Sequence, residues 1–290
     1  MSEGVERNTR AIEGTVVTDF EDRMSYGGYL DLPTLLSAQR PLSGSEGKPE
    51  HHDELLFIVQ HQTTELWLKL ILHELRAVRA YFDGDLVHHA LKSLARVKHI
   101  QRTLIEQWSV LATLTPNEYG EFRGTLASAS GFQSAQYRGV EFILGNKNQQ
   151  MLKVFASDHA ASAMLSELLD EPSVYDAFLR FLARRGLAIP SEVLQRDLRQ
   201  PWIMQPALIP VFRSIYDSVD RAYDLYEACE SLVDVEDNFQ FWRFRHLRVV
   251  QRTIGFKTGT GGSSGVRFLQ KALELTFFPE LYAVRTEIGR

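Results

Sequence analysis

The sequence predicts an all-α protein, a single-domain helical bundle. Residues 53–82 contain no Gly or Pro, are rich in strong helix formers, and repeat apolar residues at helical spacing. Residues 86–112 repeat the pattern. No run alternates convincingly as a strand, and no strand–helix alternation suggests a parallel sheet. At 290 residues the chain is long enough for one large domain.

Each element has local reasons. In the first helix, Leu55, Val59, Leu66 and Leu70 recur at helical intervals and predict a buried face, with Gly84 as the stop. After the second helix, Thr115 is an N-cap residue, Pro116 suits the first helical position and Glu118 completes a capping box, so a third helix is expected from Thr115 to about Leu126. A polar loop over 128–136 leads into a helix ending near Leu144. Two shorter helices are expected in 160–186, divided at Glu171-Pro172, before a proline-punctuated stretch to Pro210. Two long helices follow, over about 211–232 and 235–254, the second closed by Gly255. A last helix is expected over 266–276. Residues 1–20 read as a mobile N-terminal arm, 21–290 as the helical domain, and the polar loop 42–50 as flexible.

Composition narrows the function. A hydrophobic content of 44% with 24% charged residues suits a globular chain able to bury a core, and a net charge of −5 argues against nucleic-acid binding. The single cysteine, Cys229, cannot form an internal disulfide and suits a reducing compartment. No signal peptide and no apolar run of membrane-spanning length is visible, so a cytoplasmic protein is expected, with no membrane partner.

Several motifs fail on context. Gly261-Gly262-Ser263-Ser264-Gly265 matches the G-x-S-x-G nucleophile elbow, but that motif needs a strand before the serine, and here an arginine-rich helix precedes it. A dinucleotide fingerprint would require Gly at 264, which is Ser, and no Gly-Lys pair gives a phosphate loop. There is no H-E-x-x-H and no Glu-x-x-His.

Two histidines and one arginine stand out. His61 shares a helix face with Phe57, Thr64, Leu68 and Leu72, so its ring is expected in an apolar setting. Spacing alone leaves a hydrogen-bonded core histidine as the simpler reading. His246 lies near Phe239, Trp242, Val249, Val250 and Thr253, with Arg243, Arg245, Arg248 and Arg252 around it. That run reads either as a salt-bridged face or as a haem ligand with arginines for the propionates. Tyr119, Arg123 and Leu126 fall on one face, where Arg123 is either a surface residue or a fork for a carboxylate.

Taken together, YGGYLDLPTLL (26–36), FIVQHQTTELWLKL (57–70), LTPNEYGEFR (114–123), SGFQSAQYR (130–138), FWRFRHLR (241–248) and GFKTGTGGSSGV (255–266) resemble the tryptophan 2,3-dioxygenase family over nearly the whole chain. The resemblance implies an all-helical, typically homotetrameric enzyme. With ferrous haem b and O₂ it would open the pyrrole ring of L-tryptophan to N-formyl-L-kynurenine. It further implies His246 as proximal iron ligand and His61 as the residue that accepts the indole N–H. Phe57 would pack on the indole, and Arg123 would pair with the substrate carboxylate beside Tyr119 and Leu126. Thr260 would hold the ammonium and carboxylate under a glycine-rich lid. Trp108 and Ser130 would line the haem pocket, and Tyr26 and Tyr29 would reach a neighbouring subunit's site. A relative that hydroxylates another indole or aromatic amino acid, or a non-catalytic haem or tryptophan sensor, stays open at this point.

Overall fold

A computed structural model describes residues 10–44, 47 and 49–289. Among them there are thirteen α-helices joined by turns and 3₁₀ segments, with no strand. The chain divides into two compact units, one ending at Arg40 and one beginning at Pro41. Residues 1–9 of the expected arm lie outside the described residues. The first unit contains α1 (Tyr26–Tyr29), capped by Ser25, whose Oγ accepts from the Gly28 N–H, and α2 (Leu32–Leu36).

The second unit is organised by three long helices. These are α3 (His52–Asp83), α4 (Val87–Leu111) and α11 (Tyr223–Thr253). α4 packs against both α3 and α11. Their shared core uses Leu72, Leu75 and Val78 from α3, Leu94, Val97 and Leu104 from α4, and Leu232, Val235 and Phe239 from α11. Between them in sequence lie α5 (Pro116–Phe122), α6 (Ala135–Leu144), α7 (His159–Asp170), α8 (Val174–Arg184), α9 (Ser191–Leu194) and α10 (Ile209–Tyr216). α12 (Val266–Ala272) and α13 (Pro279–Ala283) complete the chain. α3 also packs on α6 and α8, where Phe82 meets Phe178 and Phe181 at 5.1 and 5.6 Å. No helix among the described residues is long and apolar enough to cross a membrane.

The predicted capping box is present. Thr115 Oγ1 accepts from the Glu118 N–H at 3.4 Å, and the Glu118 carboxylate accepts from the Thr115 N–H at 2.8 Å. Thr115→Ala removes one half of this exchange. It is expected to lower the free energy of unfolding by about 1 kcal/mol in urea titrations.

Five expectations need correction. Leu55, Val59 and Leu66 are exposed, at 47%, 41% and 50%. The buried face of α3 is instead Leu68, Ile71, Leu72 and Leu75, because the first half of the helix turns toward a cavity rather than a packed core. The expected break near 233–234 does not occur. Val233 and Asp234 carry no helix breaker, and buried Leu232 and Val235 pack into the core on either side, so α11 runs through. The chain breaks earlier, at 217–222. The helix expected to end at 276 stops at Ala272, where buried Arg243 donates to the terminal Ala272 O at 3.0 Å and to Leu275 O beyond it at 3.1 Å. The third helix tightens into a 3₁₀ turn at Arg123–Leu126. The start of the 42–50 loop is anchored, for the buried Glu54 carboxylate accepts from the Leu42 and Ser43 N–H groups at 2.9 and 2.8 Å.

Gly255 follows α11 with φ +69°, its N–H bonded to Val250 O at 3.2 Å. A residue with a side chain is strained there, which is why glycine closes this helix.

Candidate active site

A cavity of about 260 Å³ opens in the second unit. Its walls come from α3, α4, α5, α6, α11 and α12 and from the loops around 126–134 and 259–265. Phe57, His61, Trp108, Tyr119, Leu126, Ser130, His246 and Thr260 all line it. These candidates lie far apart in sequence, and the fold brings them together.

His61 Nδ1 lies 2.7 Å from Phe57 O, one turn earlier on α3. A carbonyl only accepts, so Nδ1 carries the hydrogen and Nε2 keeps its lone pair. Burial lowers the pKa of the imidazole, opposed by the Phe57 carbonyl, so the ring is neutral at pH 7. His61 therefore offers one acceptor. Its ring sits 4.2 Å from that of Phe57, and Phe57 in turn contacts Tyr119 and Phe122 at 5.9 and 5.7 Å, which makes an aromatic slot beside the acceptor.

His246 projects from α11. Its ring stacks on Trp108 at 4.7 Å with planes 8° apart, and Trp242 flanks it at 5.7 Å. Burial pulls its pKa down to about 4, and His61 across the cavity acts in the same direction. A neutral imidazole is the form that ligates iron. The indole N–H groups of Trp108 and Trp242 are buried without a hydrogen-bond partner among the described residues, as is Arg138 Nε. An apolar cavity with a neutral imidazole and unsatisfied donors in its walls fits a haem, which brings a large aromatic face, an iron and acceptor oxygens.

Arg123 does not line the cavity. Its Nη2 donates to Thr258 O at 2.7 Å, and it hydrogen-bonds the Tyr119 side chain, behind the wall. Burial raises the Tyr119 pKa, and Arg123 opposes this. Tyr26 and Tyr29 belong to the first unit, on α1, each 76% exposed.

The 256–265 loop closes on the 128–130 segment. Thr260 Oγ1 donates to Ala129 O at 2.5 Å. A Cβ on Gly261 would stand 2.7 Å from Ser130 Cβ, and one on Gly265, where φ is +60°, would stand 2.7 Å from Lys257 O. Glycine is required at both because backbone meets its neighbours without room for a methyl group.

Of the four arginines around His246, only Arg243 lines the cavity. Arg248 and Arg252 are exposed, and Arg245 is half-exposed. Sequence reasoning placed the helix that is α6 but missed that it contributes Tyr137, Arg138 and Glu141 to the cavity, and missed Glu65 on α3. Arg138 and Glu141 stand at i and i+3, a spacing that ordinarily marks a solvated helix pair, so nothing local announced their burial.

An all-α chain that sets a buried neutral imidazole against an aromatic cavity, with a second imidazole offering an acceptor into it, belongs to the helical haem proteins. The comparisons narrow this class. The family model described as tryptophan 2,3-dioxygenase matches residues 12–217 and 203–288. A tryptophan 2,3-dioxygenase of Kineococcus radiotolerans is 65% identical over 289 residues, covering all of both chains. Those of Arthrobacter sp. and Serratia proteamaculans are 64% and 58% identical, over 99% of each chain for the first and over 97% of this chain and 99% of the relative for the second. The chain belongs to the tryptophan 2,3-dioxygenase family.

Proposed function

We propose that the chain cleaves the indole C2–C3 bond of L-tryptophan with O₂ to give N-formyl-L-kynurenine, the reaction of its family, using haem b. The observation that carries the site assignment is the His61 tautomer. With Nδ1–H donated to Phe57 O, Nε2 is left as an acceptor for an indole N–H, beside an aromatic slot. When bound, the haem supplies the activation of O₂ and the oxidation of the indole ring.

The chain's own residues bind and orient. His246 holds the iron. His61 Nε2 accepts the indole N–H and fixes the ring; it is poorly matched to remove that proton, since indole N–H is a very weak acid. Phe57, Tyr119 and Leu126 enclose the indole. Arg123 takes the substrate carboxylate on exchanging the Thr258 carbonyl for it, and Thr260 holds the ammonium and carboxylate. Trp108 and Ser130 border the haem. The glycine-rich loop excludes water over the bound substrate.

Gly261→Ala tests the lid. The added methyl must push the loop off Ser130, at a cost of about 1–3 kcal/mol. The Kd for L-tryptophan, read from the haem spectrum, is expected to rise roughly tenfold with haem content unchanged.

The enzyme works as a cytoplasmic homotetramer, with Tyr26 and Tyr29 reaching a neighbouring subunit's site. The exposure of both tyrosines supports this reading.

The deciding experiment mixes reduced, haem-loaded protein with L-tryptophan and O₂ and weighs the product. A gain of two oxygen atoms is expected. A gain of one would make the chain a hydroxylating relative, and haem binding without product would make it a sensor.

A further inference from the structure

The α6 wall of the cavity contains a charge imbalance that the roles above leave unused. Glu141 is 2% exposed and serves two guanidiniums. It accepts from Arg243 Nη2 at 2.7 Å and from Arg138 Nη1. Arg243 and Arg138 are themselves 3% and 9% exposed, and all three residues line the cavity. Two buried cations therefore face one buried anion, leaving a surplus of one positive charge. Such a surplus is costly in a low-dielectric interior unless a further anion meets it.

The neighbouring groups do not supply that anion. Burial raises the pKa of Glu65, which favours its uncharged form, while its bond to Ser134 opposes the shift. Burial holds Tyr137 protonated.

The two arginines also differ in what they have left to give. Every nitrogen of Arg243 has a partner, with Nε on the Tyr137 hydroxyl at 3.1 Å, Nη1 on the Ala272 and Leu275 carbonyls and Nη2 on Glu141. Arg138 keeps a buried Nε with no partner among the described residues.

We propose that Arg138, set in place by Glu141 and backed by Arg243, forms a carboxylate subsite that holds a propionate of haem b. The inference rests on the haem reading above. The same chemistry would suit the carboxylate of the amino-acid substrate, and the test separates the two.

The full-length chain is loaded with haem b or with its dimethyl ester, which keeps the ring and iron but has no carboxylate. Transfer of each to an excess of a haem scavenger is then timed. The wild type is expected to lose the ester about 30-fold faster than the free acid, as for a buried charge pair cut at one partner. In Arg138→Gln that ratio narrows to about threefold, because the charge that distinguished acid from ester is gone. Glu141→Gln acts in the opposite direction. It deletes the competing anion and widens the ratio, so the idea stays testable if Arg138→Gln does not fold.

Equal loss of acid and ester from the wild type overturns the proposal, as does a ratio left unchanged in Arg138→Gln or not widened in Glu141→Gln. An unchanged ratio with weakened L-tryptophan binding in Arg138→Gln would give this subsite to the substrate instead. A wild type that develops no Soret band with haem b itself would strike the haem reading rather than this subsite.

Discussion

His246→Ala is expected to abolish stable haem binding, with loss of the Soret band after gel filtration. The imidazole is the one neutral nitrogen ligand on α11 that faces the cavity, stacked on Trp108 and flanked by the tilted ring of Trp242, which hold its plane before iron arrives. Residues that only orient a metal-bound histidine are worth about 10–100-fold in metal affinity, so loss of the ligand itself should cost more than that. The alanine leaves a hole lined by aromatic rings, which should keep the fold and admit free imidazole. Imidazole added to the variant is then expected to restore part of the band. His61→Ala is the matched control: it should keep haem and lose turnover or affinity for tryptophan. An intact Soret band in His246→Ala, or its loss in His61→Ala instead, would show that the two histidines had been assigned the wrong way round.

The sequence made some of this legible and hid the rest for physical reasons. α3, α4 and the capping box at Thr115 depend on propensity and on hydrogen bonds within a few residues, so they can be read locally. The continuity of α11 through Val233 follows from core packing of Leu232 and Val235, and the early stop of α12 involves Arg243, a partner far away in the chain. Periodicity predicted that α3 has an apolar stripe but chose the wrong residues as its buried face. Leu55, Val59 and Leu66 show that apolar spacing reports amphipathicity, while burial is decided by what packs alongside.

The site divides in the same way. Phe57 and His61 were visible because they sit one turn apart on a single helix, and Tyr119 and Leu126 because they share a face. Arg138 and Glu141 look like any solvated helix pair until α11 brings Arg243 against them. The glycine-rich loop could be recognised as unsuited to a nucleophile elbow from its missing strand. The requirement for Gly261, however, comes from Ser130, which only the folded chain places opposite it.

Arg123→Ala is expected to weaken L-tryptophan binding by about 2–4 kcal/mol, roughly 30- to 700-fold in Kd, as for a carboxylate left without its buried partner. The structure complicates the simple account, because Arg123 stands behind the wall with its guanidinium on Thr258 O and the Tyr119 side chain. Removing it deletes a carboxylate partner and also unties the lid, and either loss would lower affinity. Tryptamine separates them, since it has the indole and ammonium of the substrate but no carboxylate. If Arg123 acts on the carboxylate, the variant loses affinity for L-tryptophan and binds tryptamine as the wild type does. If Arg123 acts by holding Thr258 and the loop, both ligands weaken together, and the guanidinium is a positioning group rather than a contact. Unchanged L-tryptophan affinity would remove Arg123 from the site altogether, and the carboxylate would then have to be met by Thr260 and the backbone of its loop.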